Sequence, residues 1–160
     1  MRTLLLSAIY LLVLPAMGQA QNAATEAFYQ KYKHLHVETT AEQELQELMA
    51  SLEKNEDRTS KIESYRVIEN EDENPIPKAE VFTLIKALKA DAYDVIVRVN
   101  DGGSLAYLLT KDGAAAGSLS EFFYLEYDAF EFRFITLSGN INLTEIVTSG
   151  YSFSHSINGN

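Results

Sequence analysis

A chain of 160 residues in which 23 aspartates and glutamates stand against 13 lysines and arginines carries a formal charge of −10. Such a surface repels polyanions, and no basic stripe is present to release counterions, so nucleic acid and anionic membrane surfaces are excluded as expected partners. The lack of any cysteine excludes disulfide staples, thiolate chemistry, cysteine-based metal sites and a lipid carried on a processing-site cysteine, leaving an ordinary apolar core to hold the fold.

The N-terminus has one charge at Arg2, no charge from 3 to 14, and a small-residue end, Ala16-Met17-Gly18-Gln19-Ala20. This is the layout of a cleavable signal peptide over residues 1–20, with Gly18 and Ala20 small enough for a peptidase pocket and cleavage placed after Ala20. The apolar run is about 11 residues, where roughly 20 are needed to cross a bilayer, so no permanent membrane anchor is expected after cleavage. Export to the periplasm or the exterior follows as the expected address. The remainder divides into one domain over 21–150 and a Ser-, Asn- and Gly-rich tail, 151–160, expected to fray.

Along that domain, Phe28, Tyr29 and Tyr32 recur at helical spacing within 25–33. Leu45, Leu48, Met49 and Leu52 then form an apolar stripe behind a Thr40/Gln43 capping box, which predicts a helix over 41–54. Residues 61–69 (KIESYRVIE) have the β-branched and aromatic content of a strand. A solvated link, 70–75 (NEDENP), leads to a second amphipathic helix over 77–90, with Val81, Leu84, Ile85 and Leu88 on one side.

After Ala90 the period becomes two. Tyr93, Val95, Val97 and Val99 alternate with Asp94, Ile96 and Arg98, and Asp101-Gly102-Gly103 supplies a hairpin turn into 104–110. Strands over 119–127 and 130–137 follow, the last placing Phe130, Phe132 and Phe134 opposite Glu131 and Arg133. Asn142 and Glu145 predict the cap of a short closing helix. The expected fold is α+β: a mostly antiparallel sheet of about five strands, four of them in a C-terminal meander, with two or three helices packed on one face. Adjacent Phe122 and Phe123 must point to opposite faces, so a sheet covered on one side would expose rings to a partner on the other.

Candidate chemistry is sparse. His34 and His36, two apart and near Glu38, have the best spacing for metal ligation that the chain offers, while zinc sites gather three or four convergent ligands. His155 in the tail could join them only by folding back. Glu69, Glu71, Asp72 and Glu73 lack the ligand alternation and central glycine of a calcium loop. Asp101-Gly102-Gly103-Ser104 joins two strands without a helix to receive a phosphate. No catalytic residue and no cofactor is indicated.

The segment 91–98 (DAYDVIVR) and the closing run Phe134-Ile135-Thr136-Leu137-Ser138-Gly139-Asn140-Ile141-Asn142-Leu143, set behind a signal peptide and a helix–strand–helix unit, resemble a family of small exported bacterial proteins. It is catalogued as domain of unknown function 4252 and found largely in the Bacteroidetes. Relatives tend to have acids where Asn140 and Asn142 stand, and many resemble lipoproteins, from which this chain departs by having no cysteine. The resemblance implies no catalytic or ligand residues. The expected function is therefore non-enzymatic binding of a protein or envelope component through an exposed sheet face or edge. The alternative is a small-ligand or metal-dependent envelope enzyme using His34, His36 and neighbouring acids.

Overall fold

A computed structural model of the chain describes residues 22–37, 40–71 and 73–148. The expected signal peptide, Glu38, Asp72 and the expected tail with His155 lie outside them. The elements run α1 (Ala23–Tyr32), a 3-10 turn (Lys33–Leu35), α2 (Thr40–Lys54), β1 (Lys61–Asn70), α3 (Lys78–Ala90), β2 (Asp94–Asp101), β3 (Ser104–Asp112), β4 (Leu119–Tyr127), β5 (Phe132–Ile141) and α4 (Leu143–Thr148).

Local chemistry sets most of these ends. The Asn22 side chain accepts the N–H groups of Ala24 and Thr25 and caps α1. Pro77, with no N–H to lose, immediately precedes the first helical residue of α3. Gly102, at φ +59°, supplies the left-handed residue of the β2–β3 hairpin turn.

The strands form one antiparallel sheet in the order β1-β5-β4-β3-β2. The meander from β2 to β5 and the α+β class agree with the sequence. β1 pairs with the last strand rather than with its nearest strand in sequence, and α3 carries the chain from one sheet edge to the other.

The placement of the helices differs from the expectation that they share one face. Phe28 and Tyr32 of α1 and Val81, Leu84, Ile85 and Leu88 of α3 pack with Ile68, Leu105, Leu109, Phe123, Leu125, Phe132 and Phe134 on what we call the front face. Leu45, Leu48 and Leu52 of α2 and Ile146 of α4 pack with Val67, Phe122, Tyr124, Ile135 and Leu137 on the back face. The physical reason lies in β4 and β5, which are apolar on both sides: Phe122 and Phe123 are each 1 % exposed. Leaving either face bare would forfeit about 1.5 to 3 kcal/mol for each large side chain.

The 35–37 segment carries the chain around the β1 edge between the two layers. There Val37 donates its N–H to the Glu69 carbonyl and Asn70 donates its amide to the Leu35 carbonyl. This closes part of the β1 edge. Phe130, expected within the last strand, sits instead in the β4–β5 turn, where the Asp128 carboxylate accepts the N–H groups of Phe130 and Glu131.

Candidate interaction surface

His36 is fixed by two structural bonds. Its Nδ1 accepts the Glu69 N–H at 3.1 Å, so the ring proton is on Nε2, which lies 3.0 Å from Glu42 Oε2. Both ring nitrogens are thus engaged in tying the 35–37 segment to β1 and α2. His34 is exposed on the 3-10 turn. Among the described residues no group of three or more His, Asp or Glu side chains is gathered to hold a metal ion.

The acids of the 69–73 run separate by environment. Glu69 lies within β1 and is 1 % exposed, whereas Glu71 and Glu73 face solvent. Glu69 and Glu126 flank Arg133 in one cross-strand row, because Glu69 of β1 and Glu126 of β4 both register with Arg133 of β5. Arg133 Nε donates to Glu69 at 2.6 Å and Nη1 to Glu126 at 3.0 Å, with Glu131 at 3.5 Å from Nη2. Three carboxylates therefore share one guanidinium.

Burial pushes the Glu126 carboxyl above its ordinary range, against the opposing pull of the Tyr124 hydroxyl and of Arg133. Burial alone would lower Arg133, but the surrounding carboxylates, Glu69 foremost, hold it above its ordinary value. The sequence reading put Arg133 opposite the phenylalanines without a partner. Its signal was available: Glu69, Glu126 and Arg133 each interrupt an apolar strand run, and charges there are retained only when paired.

With both sheet faces lined by helices, the aromatics expected to be open are covered. Phe122, Phe123, Tyr124, Phe132 and Phe134 are all buried, and only Phe130 among the phenylalanines of this region is strongly exposed, at 71 %. Apolar exposure concentrates on β2 instead. Ile96, Val97 and Val99 are 53, 44 and 46 % exposed, and β2 pairs only with β3 among the described strands.

A register shift between Val95 and Val97 explains why three apolar residues are exposed at once. Val95 registers with Leu109 and packs toward the front core. Past the bulge, Val97 registers with Leu108 and Val99 with Ala106, on the back face, where α2 packs along β1 at the opposite edge of the sheet and leaves them uncovered. Beside Val99 a cleft of about 420 Å³ is lined by Ala106 and by the carboxylates of Asp101, Glu126, Asp128 and Glu131. No lysine, arginine or histidine lines it.

The family model described as Domain of unknown function (DUF4252) matches residues 56–148, more than half of the chain. The chain belongs to this family. Its matched region runs from just before β1 to the end of α4, and so contains the whole sheet, the acid-lined cleft and the β2 margin. No curated protein and no solved structure matches the chain.

The closing run that carries the resemblance to DUF4252 proteins has a structural explanation. Gly139 sits at φ +146°, and a Cβ there would lie 2.1 Å from the Lys61 carbonyl oxygen. Asn140 donates its amide to the Thr59 carbonyl, Ile141 is fully buried, and the Asn142 side chain accepts the Thr144 N–H at the start of α4. Each position of Gly139-Asn140-Ile141-Asn142 thus has a separate task in joining β1, β5 and α4.

Proposed function

We propose that this DUF4252 protein is an exported binding module, periplasmic or secreted and not lipid-anchored, which engages a protein or other envelope component through the β2 margin of its sheet. The observation that carries the reading is the exposure of Ile96, Val97 and Val99 on an edge strand. Soluble domains usually blunt such edges, and contiguous exposed apolar groups concentrate at interaction sites. The contrast with β1 supports it, since that edge is partly closed by the 35–37 segment of the chain itself. Export rests on the signal-peptide layout of residues 1–20. Among the described residues no helix is long and apolar enough to cross a membrane.

A photo-crosslinking amino acid placed at Val97, with a matched control at exposed Lys86 of α3, tests this in cells. The expected result is a discrete adduct in the envelope fraction from position 97 and none from position 86, on protein whose N-terminus is Gln21. Protein that keeps residues 1–20 and stays in the cytoplasm would overturn export. Adducts of equal yield from both positions would overturn the assignment to β2.

A further inference from the structure

The β2 margin also constrains what can bind there, and the following rests on the reading of that margin as the binding surface. We propose that the occupant is an extended segment of a different polypeptide, added as a sixth strand along residues 97–101, with apolar side chains over Val97 and Val99 and a lysine or arginine opposite Asp101.

Three observations lead to this occupant. First, the register shift at Val95/Val97 interrupts regular pairing at its N-terminal side, so the usable edge is the stretch from Val97 to Asp101. Second, along that stretch the back face reads Val97, Val99, Asp101, with Arg98 and Asn100 on the front. Opposite side chains in an antiparallel pair share a face, so the complementary strand reads apolar, polar, apolar, polar, basic. Third, Asp101 also lines the cleft with Glu126, Asp128 and Glu131; Arg133 is shared by Glu126 and Glu131, so four carboxylates face one guanidinium and the basic side chain enters a net negative field on a protein of charge −10.

The same residues argue against a second copy of this chain. An antiparallel two-fold pairing that keeps side chains on their own faces has three registers within this stretch. Centring on Arg98 sets Arg98 against Arg98. Centring on Val99 sets Val97 against Asp101, and centring on Asn100 sets Val99 against Asp101. Each register spoils a pair, and two chains of −10 repel one another.

The test is a titration of the purified, isotopically labelled protein followed by amide chemical shifts. The probe is the end-blocked peptide Lys-Thr-Val-Thr-Val-Thr-Lys, which sets its valines and lysines on one face and whose palindromic pattern suits either strand direction. The expected result is saturable shifts confined to β2, β3 and the cleft. Affinity should fall on the order of tenfold when both lysines of the peptide are replaced by glutamate, and beyond detection when alternate peptide amides are methylated so that it cannot pair as a strand. Val97→Lys with Val99→Lys should abolish binding, and Asp101→Asn should remove the preference for lysine over glutamate; all three side chains are exposed and their replacement leaves the fold intact.

Equal binding of the lysine and glutamate peptides, or unchanged binding of the methylated one, overturns the proposal. If no peptide binds while position 97 still gives its envelope adduct, the extended cationic segment is wrong and the binding margin stands. If that adduct is also lost, the margin itself is wrong. An adduct between two copies, or from position 97 to residues 149–160 of the same chain, replaces the occupant and overturns the proposal.

Discussion

Glu145 lies in the first turn of α4, where an acid favours the helix dipole, yet its carboxylate is spent outside the helix. It accepts the N–H groups of Thr59 and Ser60 at 2.9 and 2.8 Å and the Thr59 hydroxyl at 2.9 Å, fixing α4 to the entrance of β1. Partial burial alone would raise its pKa, but these hydrogen bonds outweigh it and hold the carboxyl at about 2, against an ordinary 4.5. A depressed folded-state pKa contributes stability that is complete above the unfolded value and lost as pH falls through the folded one. Glu145→Gln should therefore cost about 1 kcal/mol at pH 7, a figure kept small by solvent access. Urea denaturation from pH 7 to pH 2 should show that difference closing between about pH 4.5 and pH 2. The sequence marked Asn142 and Glu145 together as a cap, and Asn142 does cap α4. The partners of Glu145 are 86 and 85 residues distant, and no local pattern carries that information. Arg133 is a similar case: alternation assigns it a face, but only the pairing of β5 with both β1 and β4 sets it between Glu69 and Glu126.

Among the elements, the pairing of β1 with β5 depends on Gly139. The register shift between Ile62 and Ser64 brings the β1 backbone against Gly139, where a side chain would meet the Lys61 carbonyl. Gly139→Ala combines that collision with a backbone angle unfavourable to any side chain, and a loss of about 3 kcal/mol or more is expected in equilibrium unfolding. A smaller loss, below about 1 kcal/mol, would mean that the two strands separate there at little cost. The sequence located all five strands, β1 by its β-branched and aromatic content and the others by the change of period after Ala90. It misjudged β2, since the alternation of Val95, Val97 and Val99 reads as one continuous face. The bulge at Ile96 sends Val95 to the front and the other two to the back, and a bulge leaves no mark in a run of β-branched residues.

At the scale of the molecule, one sheet separates two apolar cores, each with its own helices. Leu88 of α3 and Leu45 of α2 are both fully buried, one on each side. Leu88→Ala and Leu45→Ala should each cost about 3 kcal/mol. Because the sheet stands between them and they belong to separate apolar clusters, the double variant should equal the sum to within about 0.5 kcal/mol by urea denaturation. A coupling well above that would mean that the sheet transmits strain from one core to the other. The sequence by itself determined the elements, the acidic surface and the exclusion of cysteine chemistry, because periodicity and composition are local properties of the chain. Tertiary structure alone decided which face each helix covers, which charges are buried together and which strand is left at the open edge. Those outcomes depend on β1 pairing with β5 across some seventy residues, and a contact of that span is set by the packing of the whole sheet.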